Sequence, residues 1–312
     1  MQKAYLSTLY EIGEKDSNVL LLLADSGTSY DELFKKYLPN QIYDFGIAEE
    51  NMVAAASGLA SCGFVPFVYT AGAFLAYRSL EFIRDDVCLQ NQNVKLIGMG
   101  TGLAWSTLGP THHTTEDLSM LRALPHLTVL TPSTPIMASK CIKAAYKHNG
   151  PVYVRLGMGG EKEFYEEDTK FLIGKNICLK DGDDITIFFS GAIIEEVSIV
   201  AEKLAQNGIV AKLVDVVSIS PMDKESVIAE ALSKKALVSI EEHSLIGGLG
   251  SAISDILVEN SLDCKLLKIG INNSFAKGYG TYDEVRKQNQ LDADSILQKI
   301  MNWMEMGKID KL

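Results

Sequence analysis

The sequence predicts an α/β protein made of two doubly wound units, and three observations carry that expectation. The chain has 312 residues, enough for two domains at ~100–200 residues each. Hydrophobic residues make up 47% and charged residues 22%, so there is apolar material for two packed cores. Short apolar runs alternate with helical patterns in both halves, as expected of parallel strands covered on both faces by helices.

Each element follows from local pattern. Val19 to Leu23 is a continuous apolar run that reads as a buried strand, ending near Asp25-Ser26-Gly27. Gln41-Ile-Tyr-Asp-Phe is a second short strand that stops at Gly46, and Ala48 to Cys62, rich in Ala and Met, is a helix. Val65 to Thr70 is extended, with Pro66 near its start, where a missing N–H is cheap. Phe74, Tyr77, Leu80, Ile83 and Val87 recur every three or four residues and mark an amphipathic helix. Val94 to Met99, Leu127 to Thr131 and Pro151 to Leu156 are strands, with a helix from Pro135 to His148. In the second half, Ile185 to Ser190, Val210 to Val214, Leu237 to Ile240 and Lys265 to Ile269 are strands. Ile193, Val197, Val200, Ala201 and Leu204 share one helix face, and a further helix runs from about Ser251 to Val258. Between the halves, residues 157–170 are glycine-rich and then charged, as an exposed linker should be. The expected division is 1–160, a linker over 161–174, and 175–312.

Composition excludes several classes. Asp plus Glu outnumber Lys plus Arg by 40 to 29, for a net charge of −11, which argues against nucleic-acid or anionic-membrane partners. No apolar run approaches the ~18 residues a membrane span needs, and the N-terminus has no signal-peptide pattern. The five cysteines are scattered with no metal or redox spacing, consistent with isolated thiols in the cytoplasm.

Two segments carry residues suited to chemistry. In Gly46-Ile-Ala-Glu-Glu-Asn-Met a carboxylate sits where a short strand meets a helix, so it can be held rigidly; acids in a first turn also simply complement the helix dipole. In Gly109-Pro-Thr-His-His-Thr-Thr-Glu-Asp two adjacent histidines follow a turn. Adjacent histidines point apart, and no other histidine stands at helical spacing to them, so acid–base or hydrogen-bonding work fits better than metal binding and no metal ligand is expected. Gly247-Gly-Leu-Gly, before a helix, is a weak candidate phosphate cradle that lacks dinucleotide spacing.

Gly46-Ile-Ala-Glu-Glu-Asn-Met, Ala56-Ser-Gly-Leu-Ala and Gly63-Phe-Val-Pro together resemble the pyrimidine-binding domain of thiamine-diphosphate enzymes. Phe74, the Gly109-Pro-Thr-His112 loop and Leu121-Arg-Ala-Leu-Pro narrow the resemblance to transketolases, and Glu241-Glu-His-Ser-Leu-Ile-Gly-Gly-Leu-Gly is similar to their C-terminal domain. The resemblance covers essentially the whole chain. It implies a thiamine-diphosphate pyrimidine-binding domain followed by a transketolase C-terminal-like domain.

The family's Gly-Asp-Gly…Asn motif for Mg²⁺ and the diphosphate is missing. The resemblance therefore implies one subunit of a split transketolase, whose N-terminal partner brings the metal and diphosphate half in an α₂β₂ assembly. It makes Glu49 the carboxyl that shares a proton with the pyrimidine ring nitrogen; Glu50, about 100° further round the helix, is the weaker choice. Phe74 becomes the stacking ring, with Tyr77 flanking it and Asp25 a weaker cofactor contact. His112 becomes the residue that meets substrate hydroxyls and assists proton transfer, and Arg155 the holder of a sugar phosphate.

Three departures bear on the substrate. Leu108 stands where transketolases carry an Asp that reads a hydroxyl, Gln2 where an arginine is expected, and Gly100 where a histidine is expected. With Arg155 alone left of the phosphate-binding set, the expectation is two-carbon ketol transfer on a specialised sugar: unphosphorylated, sulfonated or otherwise unusual. The alternatives are the β subunit of a 2-oxo-acid dehydrogenase, whose histidine context differs, and a non-catalytic stabilising partner, against which the joint presence of Glu49, Phe74 and His112 argues. A deoxyxylulose-phosphate synthase is a longer chain and keeps the Asp that Leu108 replaces.

Overall fold

In the computed structural model, which describes residues 1–26, 32–234 and 236–306, the apolar runs become two sheets. In chain order the strands are β1 (Val19–Leu23), β2 (Ile42–Asp44), β3 (Val65–Ala71), β4 (Lys95–Met99), β5 (Thr128–Leu130), β6 (Val152–Arg155), β7 (Ile177–Lys180), β8 (Ile185–Ser190), β9 (Ala211–Asp215), β10 (Ser218–Ser220), β11 (Ala236–Ser244) and β12 (Lys265–Ile271). The first sheet has the order β10-β5-β6-β4-β3-β1-β2, and the second β12-β11-β8-β9-β7. Pairing is parallel throughout, except that β10 runs antiparallel to β5 and β7 antiparallel to β9. Every residue of β1, β4, β6 and β8 is buried. That is why these strands read as unbroken apolar runs rather than alternating ones.

Several elements have no sequence-level counterpart above. The helix Gln2–Gly13 buries Tyr5, Leu6 and Leu9. Helices Lys224–Ser233, Tyr282–Gln288 and Ala293–Met306 complete the second unit. β10 is three residues long, too short for any periodicity, and it adds to the first sheet although it follows β9 of the second. The helix expected from the Phe74 spacing is present, but with π turns over Phe74–Arg78 and Ile83–Cys88 on either side of an α turn at Leu80–Phe82; π turns are rare and concentrate near functional sites.

The segment 161–174 is without regular structure, yet it is not a free linker. Its Tyr165 is buried and donates its hydroxyl to Oδ2 of Asp215 at 2.9 Å. Ser133 donates to the same oxygen, so Asp215 ties the first unit, the connecting segment and the end of β9 together. Burial pushes the Asp215 carboxyl up from 3.8 to about 7, against the opposing pull of the two hydroxyls. The folded chain thus keeps a proton that the unfolded chain releases near pH 4, so the contribution of Asp215 to stability is full in acid and is lost as pH rises to about 7. Asp215→Asn is expected to remove that fall: melting curves should coincide below pH 4, with the variant the more stable by a few kcal/mol at pH 8.

The two units meet across a buried polar seam. Arg155, at the end of β6, donates from Nε to Asp117 at 2.9 Å and from Nη2 to the carbonyls of Thr114 and Glu242 at 2.7 and 3.1 Å. Tyr153 donates to the same Asp117 oxygen at 2.8 Å. The Gly247-Gly-Leu-Gly turn faces this seam and is not a phosphate cradle. The backbone N–H groups of Leu249 and Gly250 are already taken by the Glu241 carboxylate, at 2.7 and 2.9 Å, so the helix N-terminus has its anion from within the chain.

Candidate active site

A cavity of about 210 Å³ opens where the parallel strands of the first sheet end, the usual place for a ligand in such a sheet. Ala24 to Ser26 after β1, Thr70 and Ala71 at the end of β3, and Met99 at the end of β4 form one side. Ile47, Glu49, Phe74, Trp105, Leu108 and His112 complete it. The cavity therefore brings together Glu49, Phe74, His112 and Asp25 from four separate segments.

Local structure explains each placement. Glu49 is the first residue of the helix Glu49–Ser61 and its side chain is 2% exposed. Its Oε2 accepts a hydrogen bond from Nη1 of Arg78 at 2.5 Å, and its Oε1 has no partner among the described residues. Asp25 is exposed and takes a left-handed backbone (φ 47) at the end of β1, which Asp tolerates better than most residues. Gly109-Pro-Thr forms a single 3₁₀ turn that delivers His112, whose Nδ1 lies 2.9 Å from the Thr111 hydroxyl. The His112 ring stands edge-on to Phe74 at 5.1 Å and tilted to Trp105 at 6.0 Å. His113 is buried; burial pushes its imidazole pKa down, and its two nitrogens have no partner among the described residues. Among the described residues no three His, Cys, Asp or Glu converge on one point.

Two expected site residues are placed elsewhere. Tyr77 does not line the cavity. Its hydroxyl donates to Glu116 at 2.7 Å and accepts the backbone N–H groups of Thr115 and Glu116 at 3.0 and 3.1 Å. It therefore pins the segment after His112 rather than flanking a ligand. Arg155 does not line the cavity either: 4% exposed, it gives Nε to Asp117 and Nη2 to two backbone carbonyls, in a buried ion pair of the domain seam. Gln2, the other position expected to bear on phosphate, donates to the Tyr69 hydroxyl at 2.6 Å.

Three residues enter the site that the sequence did not single out. Arg78 pairs with Glu49 and lies over the Phe74 ring, 4.7 Å from its centre. Trp105 folds its indole against Gly100, where a Cβ would come within 2.4 Å of Nε1, so the glycine is what admits the ring. Tyr279, from the second unit, packs on Gly109 so tightly that a Cβ there would meet its ring at 2.1 Å, and Gly280 N–H donates to the Ser106 carbonyl at 3.2 Å. The loop that carries His112 is thus braced from the second unit. Around the cavity the described lining residues include two carboxylates, one imidazole and no lysine or arginine.

The fold and site define a class: a parallel sheet that offers a buried carboxyl, a phenyl face and an imidazole to one flat cavity, joined to a second α/β unit. Residues 1–159 match the family described as "Transketolase, pyrimidine binding domain" and residues 174–296 "Transketolase, C-terminal domain". The chain belongs to the transketolase family. Among its relatives is a "Putative transketolase C-terminal section" of Methanocaldococcus jannaschii, 37% identical over 308 residues, covering 98% of this chain and 96% of that one. A "6-deoxy-6-sulfo-D-fructose transketolase subunit" of Clostridium sp. (strain MSTE9) is 32% identical, covering 96% and 92%. The structure described as "Split gene transketolase, inactive beta4 tetramer" superposes with a TM-score of 0.89 at 33% identity, covering 96% of this chain and 97% of that one.

Proposed function

We propose that this chain is the pyrimidine-binding subunit of a split transketolase, moving a two-carbon ketol unit between sugars together with a separate N-terminal subunit. The observation that carries the reading is Glu49: a carboxyl 2% exposed, at the wall of a cavity, with one oxygen that has no partner among the described residues. Such a group suits a flat aminopyrimidine, which needs a carboxyl at its ring nitrogen and an apolar face beneath it. The unit division is assigned as 1–160, the connector 161–174, and 175–312.

Thiamine diphosphate, when bound, supplies the carbanion that takes up the ketol unit. Glu49 holds a proton at the pyrimidine ring nitrogen through Oε1. Phe74 gives the ring a face to lie on, and Asp25 borders the same cavity. His112, whose ring has Thr111 as its one hydrogen-bond partner among the described residues, would pass a proton to or from the sugar hydroxyl as the carbon–carbon bond is made or broken. The diphosphate and Mg²⁺ belong to the partner subunit, in an α₂β₂ assembly in the cytoplasm. No helix among the described residues is long and apolar enough to cross a membrane.

Arg155 is engaged with Asp117 and no lysine or arginine is among the described lining residues, which supports a substrate that does not lean on a cation of this cavity. The substrate side of the reading is therefore a sugar without a standard phosphate, or one whose anionic end meets the partner. Mixing the chain with its N-terminal partner, Mg²⁺ and thiamine diphosphate tests both points. Ketol transfer to unphosphorylated or sulfonated acceptors, exceeding that between xylulose 5-phosphate and ribose 5-phosphate, is expected. High activity on the standard pair overturns the unphosphorylated or sulfonated assignment and leaves the phosphate to the partner, and consumption of a 2-oxo acid without ketol transfer overturns the function.

A further inference from the structure

Glu49 and Arg78 form an ion pair that the proposed chemistry does not explain by itself. A carboxylate that must face a ring nitrogen gains nothing obvious from a guanidinium at 2.5 Å. The geometry resolves this. Glu49 lines the cavity, whereas Arg78 is not among the lining residues and meets the carboxylate through one oxygen. It takes Oε2 only and leaves Oε1 without a partner among the described residues. Arg78 is itself fixed on two sides: its guanidinium carbon lies over the Phe74 ring at 4.7 Å, and it belongs to the same π turn as Phe74. Glu49 is its one ion-pair partner among the described residues, and the Arg78 side chain keeps 38% exposure on the far side. One arginine thus touches both the carboxyl and the phenyl ring that the reading above assigns to the pyrimidine.

We propose that Arg78 is the positioning residue of this site: it holds Oε2 of Glu49 and supplies its counter-charge, so that Oε1 faces the aminopyrimidine ring while Phe74 is kept flat beneath it. The assignment rests on the reading of Glu49 as the pyrimidine partner. A charged hydrogen bond to one carboxylate oxygen fixes the torsion of the other. Its place over the Phe74 ring adds cation–π attraction that holds the ring. Without Arg78, Glu49 would be a buried charge with no partner, free to turn toward solvent.

The test uses thiamine diphosphate affinity of the reconstituted pair and thermal melting of the free chain, for Arg78→Met, Arg78→Lys and Glu49→Gln/Arg78→Met. Arg78→Met is expected to weaken thiamine diphosphate about tenfold and to lower the melting point of the free chain. Arg78→Lys, which keeps the charge, should recover most of the affinity. The double variant should recover the melting point, since no buried charge is left, without recovering affinity. A bystander arginine would leave both quantities unchanged in Arg78→Met. Tighter cofactor binding in Arg78→Met would mean that the arginine competes with the pyrimidine, and equal losses in Arg78→Met and Arg78→Lys would mean that charge is not what it supplies; each overturns the proposal. A wild-type pair that binds no thiamine diphosphate sinks the reading of the site instead. A wild-type pair that binds it no better than Arg78→Met sinks the positioning role alone.

Discussion

Replacing Glu49 with Gln should cut ketol transfer by the reconstituted pair about 10²- to 10⁴-fold, the range a positioned proton-transfer group contributes. The amide keeps the shape of the side chain and one oxygen for Arg78, so the chain should fold and melt close to the wild type. It loses the ability to share a proton with a ring nitrogen, and it leaves the Arg78 guanidinium without a counter-charge. The measurement is turnover at saturating cofactor with melting as the control. A scaffold subunit would show neither effect, because nothing in its fold depends on that proton; unchanged turnover would therefore place this chain among non-catalytic partners.

The second large effect is on stability. Arg155→Met should destabilise the chain by about 3–5 kcal/mol, because it strands the Asp117 carboxylate in a seam with no solvent. For a chain of this size that corresponds to a drop on the order of 10 °C in melting temperature. Asp117→Asn combined with Arg155→Met should recover part of the loss, since neither charge then remains buried. The result separates the two roles open to this arginine. A holder of a sugar phosphate would raise KM for phosphorylated substrates and leave melting alone, whereas the seam ion pair lowers melting and moves KM little.

The reasons for each success and failure of sequence reading are physical. β1, β4 and β6 are legible because strands buried on both faces are dominated by apolar residues; Val19 to Leu23 is apolar throughout, and Lys95 and Arg155 are the buried charges at the ends of β4 and β6. Glu49 is legible because a helix start beside a strand end is a local event, written in Gly46-Ile-Ala-Glu-Glu. The histidine loop is legible for the same reason. The contact of Arg155 with Asp117 is not legible, because Asp117 comes from a different element and a strand-end arginine looks the same whether it meets a ligand or a buried acid. The contacts of Tyr77 are not legible either, because its spacing from Phe74 states the helix face but not what its hydroxyl will reach. Trp105 and Tyr279 escape notice because their places depend on space left by Gly100 and Gly109, and the absence of a side chain carries no periodic signal. Arg78 is hidden by π turns, which shift the register of a helix that pattern alone treats as regular.

The most direct test of the account is the structure of the chain assembled with its N-terminal partner in the presence of thiamine diphosphate and Mg²⁺. The account predicts the pyrimidine ring over Phe74, with its ring nitrogen about 3 Å from Oε1 of Glu49 and Oε2 still held by Arg78. A cofactor bound with its pyrimidine away from this cavity, or a Glu49 carboxyl turned out to solvent in the occupied complex, would contradict it.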